Sequence, residues 1–327
     1  MGYGNYSQTA HEALVSRRVS LKDEEVFRQR VCHPLMGPRG LKLRESRDSE
    51  AHPETLAIAF ALDVTGSMGA IPVLLARREL HRFMRILTDC GFRDAQVLFM
   101  AVGDAASDSY PLQVGQFEST AELMDQWLTN CYLEGGGGGT GRESYELALY
   151  ALAEHTGIDC WDKRQKRGYL FMTGDELPYN AVSRAQVASV IGDRVDDDIP
   201  VEEVVATLQR RYHPFFLIPD HERRLDCERR WRDILGDRVV SLERPEDACF
   251  VAASLVALTE GRAAHLGELP PLLEDAGAPR DRIDDVMRAV TPYAALIGRD
   301  GSPLPGLGLA ELPTGDGPSR WTRLPRP

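Results

Sequence analysis

The sequence predicts an α/β protein with a doubly wound, mostly parallel central sheet flanked by helices, a Rossmann-like three-layer sandwich. Two observations carry this. Short runs that are apolar throughout alternate with helical periodicity at the spacing of βαβ units, the pattern of a parallel sheet covered on both faces. In addition, the three least ordinary segments all begin where a predicted strand ends or a helix starts, which is where such sheets bind ligands.

Residues 1–54 are polar and lack sustained periodicity apart from a helix near Glu12 to Arg18, so they read as an N-terminal extension. Leu56 to Leu62 is an apolar run stopped by Asp63, a central strand buried on both faces. Leu80, Phe83, Met84 and Leu87 then recur at helical spacing. Gln96 to Val102 is a second buried strand, and Leu112 to Phe117 a short edge strand. Tyr145 to Leu152 forms a helix entered from a glycine-rich loop, and Gly168 to Met172 a strand ending at Thr173. Asp198-Ile199-Pro200 opens a helix with Val201, Val204, Val205 and Leu208 on one face. A strand at Phe215 to Ile218, a helix at His221 to Leu235, a strand at Arg238 to Leu242 and a helix at Glu246 to Leu258 complete a domain over 55–262. Residues 263–327 hold ten of the chain's 20 prolines and read as a C-terminal extension. It carries one short amphipathic helix (Ile283, Val286, Met287, Val290) before a polyproline-like tail.

Composition narrows the function. A net charge of −12 makes phosphate backbones poor partners, so nucleic acid is not expected. No apolar stretch is long enough for a membrane helix, and the N-terminus lacks the apolar centre of a signal peptide. The six cysteines are widely spaced, with no Cys-x-x-Cys pair, which points to free thiols in a reducing, cytoplasmic setting.

Three segments carry chemistry. Asp63-Val64-Thr65-Gly66-Ser67 sets one carboxylate and two hydroxyls at alternate positions as a buried strand leaves the sheet. The loop Gly135 to Gly141 holds Thr140 among glycines just before a helix, with Ser144 as a further hydroxyl. Thr173-Gly174-Asp175-Glu176 follows another strand. Oxygen donors converging on one sheet edge suit Mg²⁺ or Mn²⁺.

With these residues in place, the chain resembles the von Willebrand factor A (VWA) domains, whose metal-ion-dependent adhesion site is built from Asp-x-Ser-x-Ser, a distant Thr and a distant Asp. Asp63, Thr65 and Ser67 match the first element, with Thr for the first Ser, while Thr140 matches the second and Asp175 the third. The register Gly174-Asp175, instead of Asp-Gly, is that of the family's Thr-Gly-Ser-Met-Gly subgroup. The resemblance implies that Thr65, Ser67 and Thr140 contact the ion, with Asp63 and Asp175 acting mostly through bound water. It implies a non-catalytic module in which the ion recruits an Asp or Glu of a partner protein. By the same resemblance the chain would serve as an intracellular adaptor in a larger assembly, MoxR-type AAA+ ATPase complexes included.

Competing readings are weaker. A phosphate loop would need Gly-Lys-Ser/Thr where Gly141-Arg142-Glu143 stands, and a nucleophile elbow would need glycine at Thr65. A metal-dependent hydrolase has only Glu176 to nominate as base, and a structural subunit with an empty site is the third alternative. The run Asp196-Asp197-Asp198 reads as acids favouring a helix start, and Trp231 as a half-buried helix residue with its flanking arginines outward.

Overall fold

Runs without a polar position become strands without an exposed one. The computed structural model describes residues 4–18, 20–66, 68, 70–135, 140–219, 224–299 and 323–324. The chain begins with α1 (Gln8–Arg18), α2 (Asp23–Val26), β1 (Arg44–Ser46), β2 (Leu56–Asp63), α3 (Ala70–Leu74), α4 (Leu80–Asp89), β3 (Ala95–Val102), β4 (Leu112–Val114) and α5 (Ala121–Thr129). It continues through β5 (Arg142–Glu143), α6 (Tyr145–Glu154), β6 (Thr156–Ile158), α7 (Asp159–Asp162), β7 (Gly168–Thr173), β8 (Leu177–Pro178), β9 (Ala181–Val182), α8 (Arg184–Gln186), β10 (Arg194–Val195) and β11 (Ile199–Pro200). Then come α9 (Val201–Leu208), β12 (Tyr212–Ile218), α10 (Arg224–Leu235), β13 (Val239–Ser241), α11 (Ala248–Thr259), α12 (Leu269–Asp275), α13 (Arg280–Leu296) and β14 (Arg323–Leu324).

Six strands form the central sheet in the order β13-β12-β7-β2-β3-β4, with only β4 antiparallel to its neighbour. Every residue of β2, β3 and β7 is buried. The strands' alternate positions feed two cores. Ile58, Phe60 and Leu62 of β2 join the core under α4, α11, α12 and α13, whereas Ala57, Ala59 and Ala61 join the core under α6, α9 and α10. The result is a doubly wound, three-layer α/β sandwich.

A ladder of phenylalanines fixes the register on the first face. Phe99, Phe60, Phe171 and Phe215 sit opposite one another on β3, β2, β7 and β12. Their ring centroids are 5.8, 5.5 and 5.5 Å apart in that order. Such contacts contribute about 0.5–1.5 kcal/mol each beyond burial, and a one-residue slip would turn them all to the other face. Phe83 of α4 packs edge-on to Phe60 at 5.2 Å, and Tyr293 of α13 edge-on to Phe215 at 4.9 Å. The segment after 262 therefore contributes to the same core as the sheet, through Leu269, Leu273, Ile283, Val286, Val290 and Tyr293.

Several elements differ from their sequence signals. The amphipathic stripe from Ile283 lies in a 17-residue helix that accommodates Pro292. The edge strand stops at Val114, where Gly115 comes so close to Phe99 that a Cβ would lie 2.8 Å from its carbonyl oxygen. Strand β12 starts at Tyr212 despite Pro214, because β13 pairs only with Phe216–Ile218 and the Pro214 stretch has one neighbour. Two-residue pairings (β5 with β8, β9 with β11, β10 with β14) carry no periodicity to detect.

The N-terminal segment is pinned by histidines. Helix α1 packs on α4 and α5. His11, 1% exposed, hydrogen-bonds Tyr6 Oη through Nδ1 at 2.8 Å and meets the His81 ring edge-on at 5.6 Å. Burial, then the nearby His81 and Arg18, lower the His11 pKa to about 3. The unfolded chain therefore takes up a proton near pH 6.5 that the folded chain refuses until about pH 3. Stability should fall as pH drops from about 6.5 towards 3, with this group contributing up to about 1.4 kcal/mol per pH unit. Urea unfolding of wild type and His11→Phe at pH 7 and pH 5 should give curves that converge on acidification; parallel losses would contradict this assignment.

Candidate metal centre

The strand order reverses between β2 and β7, and there the connections leave to opposite faces, the position at which such sheets bind ligands. Leu62 of β2 pairs with Thr173 of β7, so Asp63 and Gly174 emerge side by side.

Asp63 is fully buried yet well held. The Thr65 backbone N–H and hydroxyl both donate to its Oδ1, at 2.9 and 2.5 Å, and the Tyr145 hydroxyl donates to Oδ2 at 2.7 Å. Burial raises the Asp63 pKa to about 6, the Thr65 and Tyr145 hydrogen bonds oppose that, and the Asp175 charge adds to it. The Tyr145 hydroxyl is pushed far above its ordinary value by burial and by the Asp63 charge.

Tyr145 reaches Asp63 because residue 174 lacks a side chain. A Cβ on Gly174 would stand 2.1 Å from the Tyr145 hydroxyl and 2.6 Å from its ring carbon Cζ. The ring is wedged edge-on against Trp231 at 5.4 Å and Phe216 at 5.3 Å, and Trp231 stacks on Phe216 at 3.9 Å. Trp231 is completely buried, not half-buried, because its Nε1–H donates to the Glu176 carbonyl at 3.0 Å and so ties α10 to the loop carrying Asp175.

The glycine-rich loop enters differently. Gly135 and Gly141 adopt left-handed φ of +64° and +67°, which favours glycine. The exposed Thr140 donates its hydroxyl to Asp104 Oδ2 at 3.1 Å and to the Arg142 carbonyl at 3.0 Å. Its partner is thus Asp104, not Asp63. Asp104, fully buried, also accepts from Tyr179 Oη at 2.9 Å and the Ala106 N–H at 3.0 Å. Ser144 precedes α6 without capping it through its side chain, and its hydroxyl accepts the Ala105 N–H at 2.9 Å. Ser67 lies outside the described residues.

Of the residues singled out from the sequence, Asp63, Thr65 and Asp175 come together, while Thr140 stands with a second carboxylate group. Sequence reading missed Tyr145, Asp104 and Glu143 as parts of this region. Asp104 had a signal: Val102-Gly103-Asp104 repeats the strand end, Gly, Asp order of Thr173-Gly174-Asp175. Tyr145 had none, since its role depends on its contact with Gly174. Glu143 is 2% exposed, and among the described residues its Oε2 has no hydrogen-bond partner. Burial, reinforced by Asp63, Asp108, Asp104 and Glu176, pushes its pKa up to about 10.

The region therefore concentrates oxygen donors, with Glu143 held as the neutral acid. Among the described residues, Asp63, Asp104, Asp108 and Glu143 form no ion pair with Lys or Arg. Arg142 instead donates to the Pro178 carbonyl at 2.6 Å and lies over the Tyr179 ring. The buried Thr173 hydroxyl also lacks a partner among the described residues. No cluster of three His, Cys, Asp or Glu able to hold a metal by itself occurs among them. The donor set at Asp63 and Thr65 fits a hard cation that takes hydroxyl and water oxygens beside few carboxylates.

No protein-family model matches the chain, and no curated protein matches it by sequence. Among solved structures, the pilus adhesin SpaC from Lactobacillus rhamnosus GG, in its open conformation, is similar with a TM-score of 0.42 and 9% identity over 73% of this chain. The proximal thread matrix protein 1 of the mussel byssus is similar with a TM-score of 0.40 and 10% identity over 69%. The chain spans 33% of the adhesin and 51% of the thread protein.

The close approach at Gly174 is testable by a double-mutant cycle. Gly174→Ala should lower stability by about 1–3 kcal/mol in the wild type and by much less beside Tyr145→Ala. Equal costs in the two backgrounds, measured by urea unfolding, would contradict it.

Proposed function

We propose that this chain is a metal-dependent protein-binding module of the VWA type. The observation that supports this reading best is the buried Asp63, held at the switch point by two hydrogen bonds from Thr65 and one from Tyr145. A buried carboxylate such as Asp63 is costly to hold ionised. A divalent cation, Mg²⁺ or Mn²⁺, would offset it.

In this reading Thr65 and Ser67 present hydroxyl oxygens to the ion, and Asp63 and Asp175 orient its bound water. Thr140, tied to Asp104, would need to turn to join them. The ion supplies Lewis acidity and a coordination position for an incoming ligand. Because hydroxyls neutralise its charge poorly, an Asp or Glu carboxylate of a partner protein is the fitting ligand. The Tyr145 hydrogen bond keeps Asp63 oriented, and Trp231 holds the Asp175 loop. No catalytic step is assigned. The partner would belong to a larger assembly, with MoxR-type AAA+ ATPases among the candidates.

We further place the protein in the cytoplasm, a reading supported by six cysteines without a disulfide, five of them buried. Among the described residues no helix is long and apolar enough to cross a membrane.

Wild-type and Asp63→Ala chains used as bait in source-cell lysate, each in Mg²⁺ and in EDTA, test the reading by mass spectrometry. Partners should be retained only by the wild type in Mg²⁺. Equal retention in all four conditions would remove the metal centre as the interface.

A further inference from the structure

Two arginines and a histidine gather at the amino ends of the parallel strands, the end of the sheet away from the metal centre. Arg167 directly precedes β7, His213 is the second residue of β12, and Arg238 directly precedes β13. These strands are neighbours in the order β13-β12-β7. Gly168 pairs with Tyr212 and Val239 with Phe216, so Arg167 stands two residues before the level of His213 and Arg238 two residues after it. The three positions thus form a diagonal with His213 in the middle. Tyr169, Phe215 and Val240 enter the core under α13, and residues two apart along a strand share a face, so all three positions lie on the α13 side. The rings of His213 and Tyr169 are 5.2 Å apart on that side, and the turn Gly236–Arg238 packs on α13.

The polar accounting at this cluster does not close. Among the described residues, Arg167, His213 and Arg238 form no ion pair. Arg167 donates only through Nε, to the Arg210 carbonyl at 3.4 Å. Neither His213 nor Arg238 makes a side-chain hydrogen bond among those residues, although Arg238 Nε is buried. Two neighbouring acids are engaged elsewhere. Glu260 pairs with Lys166 at 2.7 Å and accepts the Tyr169 hydroxyl at 2.7 Å, and Asp237 pairs with Arg232 at 3.4 Å. Burial and then Arg238 lower the Arg167 pKa. Burial, then Arg167 and Arg238, lower that of His213 to about 3, which leaves a neutral imidazole with one N–H to donate. Like charges held close in a half-buried position repel. An anion bound between them offsets the repulsion and takes up the unmet donors.

We propose that Arg167, His213 and Arg238 form a binding site for a phosphate group, free or as a monoester. Two guanidiniums at opposite ends of the diagonal present forked N–H donors, and the imidazole adds a third donor from the sheet between them. Donors from three directions match a tetrahedral oxyanion better than a planar carboxylate, whose two oxygens a single guanidinium satisfies. The net charge of −12 does not oppose this, because salt screens charges farther off than about 8–10 Å. The site lies at the other end of β7 from Gly174, and the proposal does not rest on the metal-binding reading.

NMR of the full-length protein with isotope-labelled histidine tests it, the His213 ring signals being assigned through His213→Gln. Inorganic phosphate and glycerol phosphate are titrated separately at constant ionic strength, with chloride and acetate as comparisons. At least one of the two phosphates should shift the His213 signals saturably, and the tighter binder identifies the source. Arg167→Gln and Arg238→Gln should each weaken binding roughly tenfold. Urea unfolding checks that both variants are folded, and saturating phosphate should raise the midpoint of the wild type but not of the chain carrying both substitutions. No saturable shift, equal shifts with chloride or acetate, or undiminished affinity in both variants would overturn the site.

Discussion

Asp63 has no exposed surface, and it stands where the winding of the sheet reverses. A lone carboxylate in that position would be expensive, and three hydrogen bonds from Thr65 and Tyr145 hold it there. Much of the local architecture follows from supplying them. Tyr145 must reach across the sheet end, so residue 174 must be glycine. The Tyr145 ring must be gripped, so Phe216 and Trp231 stack beside it. Trp231, brought in from α10, then anchors the loop of Asp175 through the Glu176 carbonyl.

The two faces of the sheet divide the labour. On one, the phenylalanine ladder across β3, β2, β7 and β12 fixes the register that sets Leu62 beside Thr173, and so Asp63 beside Gly174. On the other, the small side chains Ala57, Ala59 and Ala61 share a core with α6, a helix buried along most of its length. That helix links Tyr145 to the His155–Asp193 pair beside β10. The chain's ends add to this frame: α1 through the His11 and His81 contact, α13 through Tyr293 on Phe215.

What could be read from sequence follows the range of the interactions involved. The strands ending at Asp63, Val102 and Thr173 announce themselves, because burial on both faces demands apolar residues at every position. Asp63 and Thr65 could be grouped from sequence, being two residues apart, though not as the hydrogen-bonded pair they form. The hydrogen bond of Tyr145, 82 positions from Asp63, was not legible, since nothing local to Tyr145 marks it. Thr140 shows the same limit from the other side. Its motif position suggested the Asp63 group, whereas Asp104, supplied by the end of β3, holds its hydroxyl. Pairings of two residues, such as β10 with β14, are too short to leave any pattern.

The cation site proposed at Asp63 can be tested without knowledge of a partner. Titration of the full-length protein with Mn²⁺, followed by electron paramagnetic resonance, tests it most directly. One Mn²⁺ per chain should bind, be displaced by Mg²⁺ and be lost in a folded Asp63→Asn protein. Undiminished binding by that variant, or no bound Mn²⁺ at millimolar concentration, would contradict it.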